Sequence, residues 1–241
     1  AELDQANADH QNQLTELDHQ RRGLDTEATM INDELRSLRS RQSNVPRQSL
    51  ELRTRLCNEL RIPAEALAFA GELIKVHDDS TAWEGTAERV LRNFALTLLV
   101  SDQHYAPVAA WINEHHLNAR IVYFRVPNRV GPRSPAIRRS TSPLLVDMLE
   151  IKPDNPFTTW LESELDRRAD HVCVADVTEF GTVDKAVTRQ GQIKDRSRHE
   201  KDDRHRIDDR REYVLGWSNA QKIDALIHHA QTLLAHTTEL K

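Results

Sequence analysis

Leu14–Leu38, LTELDHQRRGLDTEATMINDELRSL, sets Leu17, Leu24, Ile31 and Leu38 seven residues apart. Leu14, Arg21, Ala28 and Leu35 each stand three positions ahead of one of them. Leu3 and His10 carry the seven-residue step back towards the start of the chain. An apolar stripe of that period is buried only by wrapping on another helix. The far end repeats the pattern: Ile223, Leu226, Ala230, Leu233, Thr237 and Leu240 alternate steps of three and four. A chain that arrives along one such helix and leaves along another can pair its two arms antiparallel. The expected organisation is a coiled-coil arm over 1–61, a mixed α/β domain over 62–218 and a returning arm over 219–241. Residues 47–61 are the expected partner of 219–241, with Leu56 or Leu60 near Ile223 and Leu226. Such an arrangement suits a connector better than a free-standing enzyme.

The first arm has two soft points. Gly23 costs about 1 kcal/mol relative to Ala in a helix interior. Ser43-Asn44-Val45-Pro46 is the stronger break, because Pro46 has no N–H and pushes Val45 out of the helical region. The remaining length holds one core of about 150 residues, within the usual domain range. Of the 241 residues, 38% are hydrophobic and 29% charged, and the net charge is −5. The chain is therefore no polycation, and a nucleic-acid surface has to be a local patch. Only seven glycines are present, which argues against a Gly-rich phosphate loop. Cys57 and Cys173 lack a CxxC partner, so buried structural thiols in a reducing cytoplasm are expected. No apolar run approaches the ~20 residues of a membrane span. The start, without Met or helix cap, reads as a piece of a longer polypeptide.

Between the arms the hydrophobic period switches repeatedly. Leu67–Val76 reads as strand, Trp83–Asn93 as helix and Leu96–Val100 as a short buried strand. Asp102 is expected to cap a helix through Tyr105, Val108, Trp111 and Ile112. Ile121–Val126 reads as strand, followed by a Pro/Arg loop over 127–143. Leu144–Ile151 is a possible strand, Pro156–Arg168 a helix and His171–Ala175 a strand. Alternation in units of about 10–15 residues favours a mixed α/β fold.

Trp83-Glu84-Gly85-Thr86-Ala87-Glu88-Arg89-Val90-Leu91, then strand 96–100, helix 104–115 and Ala119-Arg120-Ile121-Val122-Tyr123-Phe124 resemble an SMC hinge. Such hinges carry an aromatic-Glu-x-Ala-x-Glu helix, a short strand, a helix and a Gly-Arg-apolar strand, and Ala119 stands here in place of the Gly. The block Gly191–Asn219, with Glu200–His205 and Tyr213–Asn219, resembles MukB-like SMC proteins, nearest to the JetC group of Wadjet plasmid-defence complexes and its MksB and EptC relatives. The resemblance covers about residues 62–222. It implies a half-hinge that pairs with a second copy as a homodimer, within a bacterial SMC-like ATPase acting in plasmid recognition and restriction. It also implies kleisin-type, accessory and nuclease subunits around the full-length protein, and a cytoplasmic, nucleoid-associated setting. No Gly-x-x-x-x-Gly-Lys-Ser/Thr loop is present, so neither ATP nor another cofactor is expected here, nor catalysis.

Two constellations compete for chemistry. Residues 125–139 carry Arg125, Arg129, Arg133, Arg138 and Arg139 with no acid among them. Such a segment can track duplex DNA phosphates weakly and without sequence preference. Its bland reading is a solvated loop whose arginines pair with acids elsewhere. Arg189–Glu212 holds nine Lys/Arg, seven Asp/Glu and two His. Glu200, Asp202, Asp203, Asp208 and Asp209 with His199 and His205 could hold Mg²⁺ or Mn²⁺ in a nuclease or phosphohydrolase. Each acid also has a base within a few residues, so an ion-paired loop explains the same pattern. Trp83, Trp111 and Trp160 read as core, and Trp217 lies where the domain gives way to the returning arm. Tyr213, Val214, Leu215 and Gly216, with the edge strands of the domain, are the expected dimer contacts.

Overall fold

The computed structural model describes residues 2–137 and 141–239, and they form two compact units. The first unit joins helix α1 (Glu2–Arg39) to helix α7 (Ala220–Glu239). Ile31, Leu35, Leu38, Leu226 and Leu233 form its buried seam, flanked by Leu24, Ile223, Ile227 and Ala230. His229 Nε2 lies 2.7 Å from Glu27 Oε1 across the pair. The helices run antiparallel, as two helices must that carry a chain into and out of one domain side by side. Gly23 does not interrupt α1, which is continuous through it.

The partner of α7 is thus not the segment 47–61 expected from the sequence. Helix α2 (Arg47–Leu60) belongs to the second unit, residues 42–219, where Leu52, Leu56 and Cys57 are buried in the main core and Leu60 packs against it. The break at Ser43–Pro46 is the reason. It ends the arm there rather than at residue 61, and the leucines beyond it face a globular core. Heptad spacing alone could not distinguish the two destinations.

The core of the second unit is built around strand β2 (Leu98–Ser101), whose Leu98, Leu99 and Val100 are fully buried. Helix α3 (Glu84–Ala95) presents Ala87, Leu91, Phe94 and Ala95 to it at helical spacing. Helix α4 (Asp102–Glu114) adds Val108 and Trp111, and helix α5 (Thr158–Arg168) adds Trp160, Leu161 and Leu165. Strand β3 (Tyr123–Val126) pairs parallel with β2, while β1 (Ile74–Val76) pairs antiparallel with β4 (Leu149–Ile151). A second sheet has the order β5 (Val172–Val174), β6 (Lys185–Thr188), β7 (Gln192–Asp195), β8 (Arg198–Lys201). Only its β5–β6 pair is parallel. Short helix α6 (Val177–Thr182) covers one face of it, with Phe180 packed on Val172, Val174 and Ala186.

Several local readings are corrected by packing. Leu67–Val76 is strand only in β1; the rest is 3₁₀ turn and a single bridge from Phe69 to Leu98. Gly71 permits close packing in this turn: a Cβ there would lie 3.1 Å from both Ala95 Cβ and Val214 O. Leu144–Ile151 is likewise a 3₁₀ turn before β4. Ser101 occupies the cap of α4, and Asp102 is its first residue. The first half of the charged segment 189–212 is not loop but the β7–β8 hairpin. Its strands are half-buried or exposed, so no apolar alternation betrays them.

The strictest packing in the fold is at Gly85, where an added Cβ would sit 2.0 Å from Ile207 O. Gly85→Ala is expected to destabilise the domain by about 1–3 kcal/mol through overpacking. Gly23→Ala, with nothing within 4 Å, should instead gain about 0.5–1 kcal/mol of helix stability. Urea denaturation of both variants tests the opposite signs. Cysteines placed at 27 and 229 should be joined within one chain by a short bismaleimide cross-linker, because side-chain tips that meet across the pair leave the Cβ atoms too far apart for a direct disulfide; cross-links only between chains would reject the register.

Candidate interface surfaces

The glutamates of the WEGTAE stretch act on the last part of the domain. Glu84, Glu88, Leu91 and Ala95 follow one another along one stripe of α3, so Glu88 is carried into the core and only 5% of it is exposed. Its carboxylate accepts hydrogen bonds from Val214 N at 2.9 Å and from Leu215 N at 2.7 Å. One helical turn earlier, Glu84 meets Arg210 Nη2 at 2.6 Å. Burial raises the Glu84 carboxyl above its ordinary value, and the Arg210 charge opposes that rise. One turn later, Arg92 donates to Glu212 O and Glu212 Oε2.

Tyr213–Gly216, the segment expected at a dimer contact, is engaged throughout by its own domain. Val214, Leu215 and Gly216 are buried. Gly216 N donates to Gly71 O and Ile74 O at 2.9 and 2.8 Å. Tyr213 donates its hydroxyl to Ile207 O at 2.9 Å, and burial pushes its phenol up. Asn44 Nδ2 donates to Leu215 O and Ser218 O, so the start of this domain also holds its end. The signal in the sequence was a carboxylate in phase with an apolar helix face, which asks for a buried donor set.

The arginine-rich segment is divided by the fold. Arg125 Nε donates to Asp102 Oδ1 at 2.5 Å and its guanidinium lies over the Tyr105 ring, 4.9 Å from the centroid. That bond holds the Asp102 carboxyl below the usual range. Arg133 is bidentate on the buried Asp166, with Nη2 to Oδ1 at 3.0 Å. Arg129 is exposed and has no side-chain partner among the described residues. Arg138 and Arg139 lie outside the described residues. Of the three arginines described, one is thus uncommitted.

The acids proposed as metal ligands are paired with their sequence neighbours. Asp202 is bound by Arg204, Asp203 by Lys201, Asp208 by Arg206 and Asp209 by Arg211, at 2.6 to 2.9 Å. All four carboxyls lie below their ordinary value, each chiefly because of that partner's hydrogen bond. Among the described residues, no three His, Cys, Asp or Glu converge as a metal centre would need. They brace a strap that crosses α3 at Gly85, where Asp202 and Asp209 line one small cleft with Arg89, Arg204 and His205.

The remaining surfaces are strand edges. β2 is covered on one side by Phe69 and on the other by β3, and Pro143–Leu144 covers the outer side of β5. β3 and β8 are rim strands, each paired on one side among the described residues. β8 reads RHEK and is charged in the manner of a protected edge. β3 reads YFRV after Ile121 and Val122, and Tyr123 and Phe124 are only half-buried.

With the fold in place, the chain can be set beside known proteins. No protein-family model matches it, and no curated protein matches it. Solved structures do. A Geobacillus stearothermophilus SMC hinge domain, solved as an asymmetric dimer, matches with a TM-score of 0.50 and 14% identity over 96% of this chain and 90% of that one. The chain has the fold of an SMC hinge. A structure described as the folded elbow of cohesin matches with a TM-score of 0.52 and 16% identity, over 94% of this chain and 32% of that one. A Pyrococcus furiosus Smc hinge domain with an extended coiled coil aligns at 21% identity over 95% of this chain and 83% of that one, with a TM-score of 0.46. Within this hinge fold, α3 supplies the acid anchors and 207–216 the segment they hold.

Removing the Glu88 carboxylate leaves two buried N–H groups without an acceptor, each worth about 1–3 kcal/mol. Glu88→Ala is expected to cost about 3 kcal/mol or more, and Glu88→Gln less, because its amide oxygen still accepts. Denaturant midpoints of the two variants against the parent chain check the order.

Proposed function

We propose that this chain is a hinge-type dimerisation module, non-catalytic in itself, that joins two long coiled-coil arms. The observation that carries the reading is the SMC-hinge fold in one chain with an antiparallel helix pair. The SMC hinge it resembles was solved as a dimer. The parent protein in this reading is a bacterial SMC-like ATPase of the MukB-like, JetC type, working with kleisin-type, accessory and nuclease subunits in plasmid restriction. Its support is the sequence likeness of 191–219, including Tyr213–Asn219, to that group.

The surface best suited to pairing is the open edge of β3. Its backbone groups can extend the sheet, and Tyr123 and Phe124 supply apolar area that a second copy would cover. A specific interface of this kind has to bury about 1,000 Å² or more in total. Sedimentation equilibrium is expected to show a dimer at micromolar concentration. Tyr123→Lys should shift the chain to monomer while leaving its far-UV circular dichroism unchanged; Phe124 is kept, because its ring packs on Trp160 and Phe94 at 5.4 and 6.0 Å. A parent chain that stays monomeric into the tens of micromolar range, about where weak interfaces fail, would defeat the reading.

DNA binding is the second part of the proposal, and Arg129, Arg138 and Arg139 are the residues to carry it. Arg125 and Arg133 are already bound to carboxylates. Affinity for duplex DNA should be weak, blind to sequence and abolished by salt. Replacing Arg129, Arg138 and Arg139 by Glu should flatten the slope of log affinity against log salt by about 0.9 for each phosphate that is no longer neutralised. The same change at Arg125 should have little effect. Fluorescence anisotropy over a salt series reads both.

A further inference from the structure

The second sheet carries a row of charged groups that neither the anchor nor the paired surfaces use. His171, at the start of β5, Lys185, at the start of β6, and Asp195, at the end of β7, lie across adjacent strands. Lys185 and Asp195 are direct register partners, and Val172 pairs with Ala186, which places His171 beside Lys185. Asp170 closes the row. Both of its oxygens are held by Lys185 Nζ at 2.9 Å. His171 is 7% exposed, and its Nδ1 is buried with no hydrogen-bond partner among the described residues, 4.0 Å from Asp170 Oδ1. Asp195 Oδ1 is also buried and without a partner among the described residues. One row therefore holds two carboxylates, one ammonium, a neutral ring, and two unsatisfied buried atoms at opposite ends.

We propose that His171 is an acid-operated latch: a proton on its ring draws Asp170 from Lys185 to His171 and releases Lys185 to Asp195. The exchange satisfies both orphaned atoms at once. Before it, one ion pair stands between an unpaired ring and an unpaired carboxylate. After it, His171⁺–Asp170 and Lys185–Asp195 are two ion pairs, and the row is neutral where it carried one negative charge. Cross-strand partners on one face lie within reach of long side chains, so Lys185 can make either pair without moving its backbone.

What holds the latch closed at neutral pH is burial. Desolvation keeps the His171 pKa below its ordinary value, with Lys185 acting in the same direction and Asp170 and Asp195 acting against it. The unfolded chain takes up the proton near the ordinary value of about 6.5, and the folded ring takes it up only at lower pH. Stability from this group is therefore complete above about pH 6.5 and declines as pH falls below it, levelling off once the folded ring is charged. The structural consequence lies in a cleft of about 490 Å³ lined by Asp170, Lys185, Asp166, Arg167 and Arg196. Its Asp170–Lys185 rim separates when the latch turns.

The test is a pH series on the full chain by NMR, following the His171 ring and the Lys185 Nζ resonance. His171 should titrate below the ordinary imidazole value of about 6.5, and Lys185 Nζ should shift with the same midpoint as His171. Asp195→Asn should move the His171 midpoint to still lower pH and abolish the coupled Lys185 shift. In His171→Gln, the loss of thermal stability below about pH 6.5 should shrink. A Lys185 resonance that stays constant through the His171 titration, or a His171 that titrates at or above about 6.5, overturns the latch. Should the glutamine variant fail to fold, the parent and Asp195→Asn titrations decide alone.

Discussion

The buried carboxylate of Glu88 is the constraint on which the second unit rests. A carboxyl group at 5% exposure is tolerable only with its hydrogen bonds supplied. The two backbone N–H groups of Val214 and Leu215 would be equally costly without an acceptor. Each side of the contact therefore compels the other. Gly216 N ties the same segment to Gly71 O and Ile74 O, and Asn44 donates to Leu215 O, so the segment that Glu88 holds on α3 is also where the start and the end of the domain meet. Gly85 belongs to the same solution, since only a residue without Cβ lets the 202–212 strap pass so close to the helix.

The abundance of charge gives the domain less external field than its composition implies. Arg125, Arg133, Arg204, Arg206, Arg210 and Arg211 are each bound to a carboxylate. Exposed pairs of this kind contribute little to stability. Their effect is to order a segment that has almost no apolar residues to order it. Ile207 and Tyr213 are its principal hydrophobic anchors, and the ion pairs set the path between them.

The long-period features were legible from the sequence: the seven-residue repeat, the break at 43–46, the alternation that gives α3, β2, α4 and β3, and the resemblance carried by WEGTAERVL. What failed did so for physical reasons that a single sequence conceals. The destination of α2 was missed because Leu52, Leu56 and Leu60 suit a coiled-coil seam and a globular core equally well. The β7–β8 hairpin was missed because its strands face water and carry charges in place of alternating apolar residues. Tyr213–Gly216 was legible as special, but its hydrogen-bond partners include groups more than a hundred residues away, beyond the reach of local pattern. The arginine loop was legible as basic; that Asp102 and Asp166 neutralise two of its members is a property of the fold alone.

Those separations have a consequence for how the polypeptide reaches its native state. Glu88 and Leu215 are 127 residues apart, and Asn44 and Leu215 are 171 apart. Contacts of such range require large loops to close before they stabilise anything, which slows folding. During synthesis α3 emerges with its acid exposed and waits until the ribosome has delivered residues 207–216. Until then the nascent domain has an uncovered core and a helix without its clasp. A chain truncated anywhere before Val214 lacks the donors that close it.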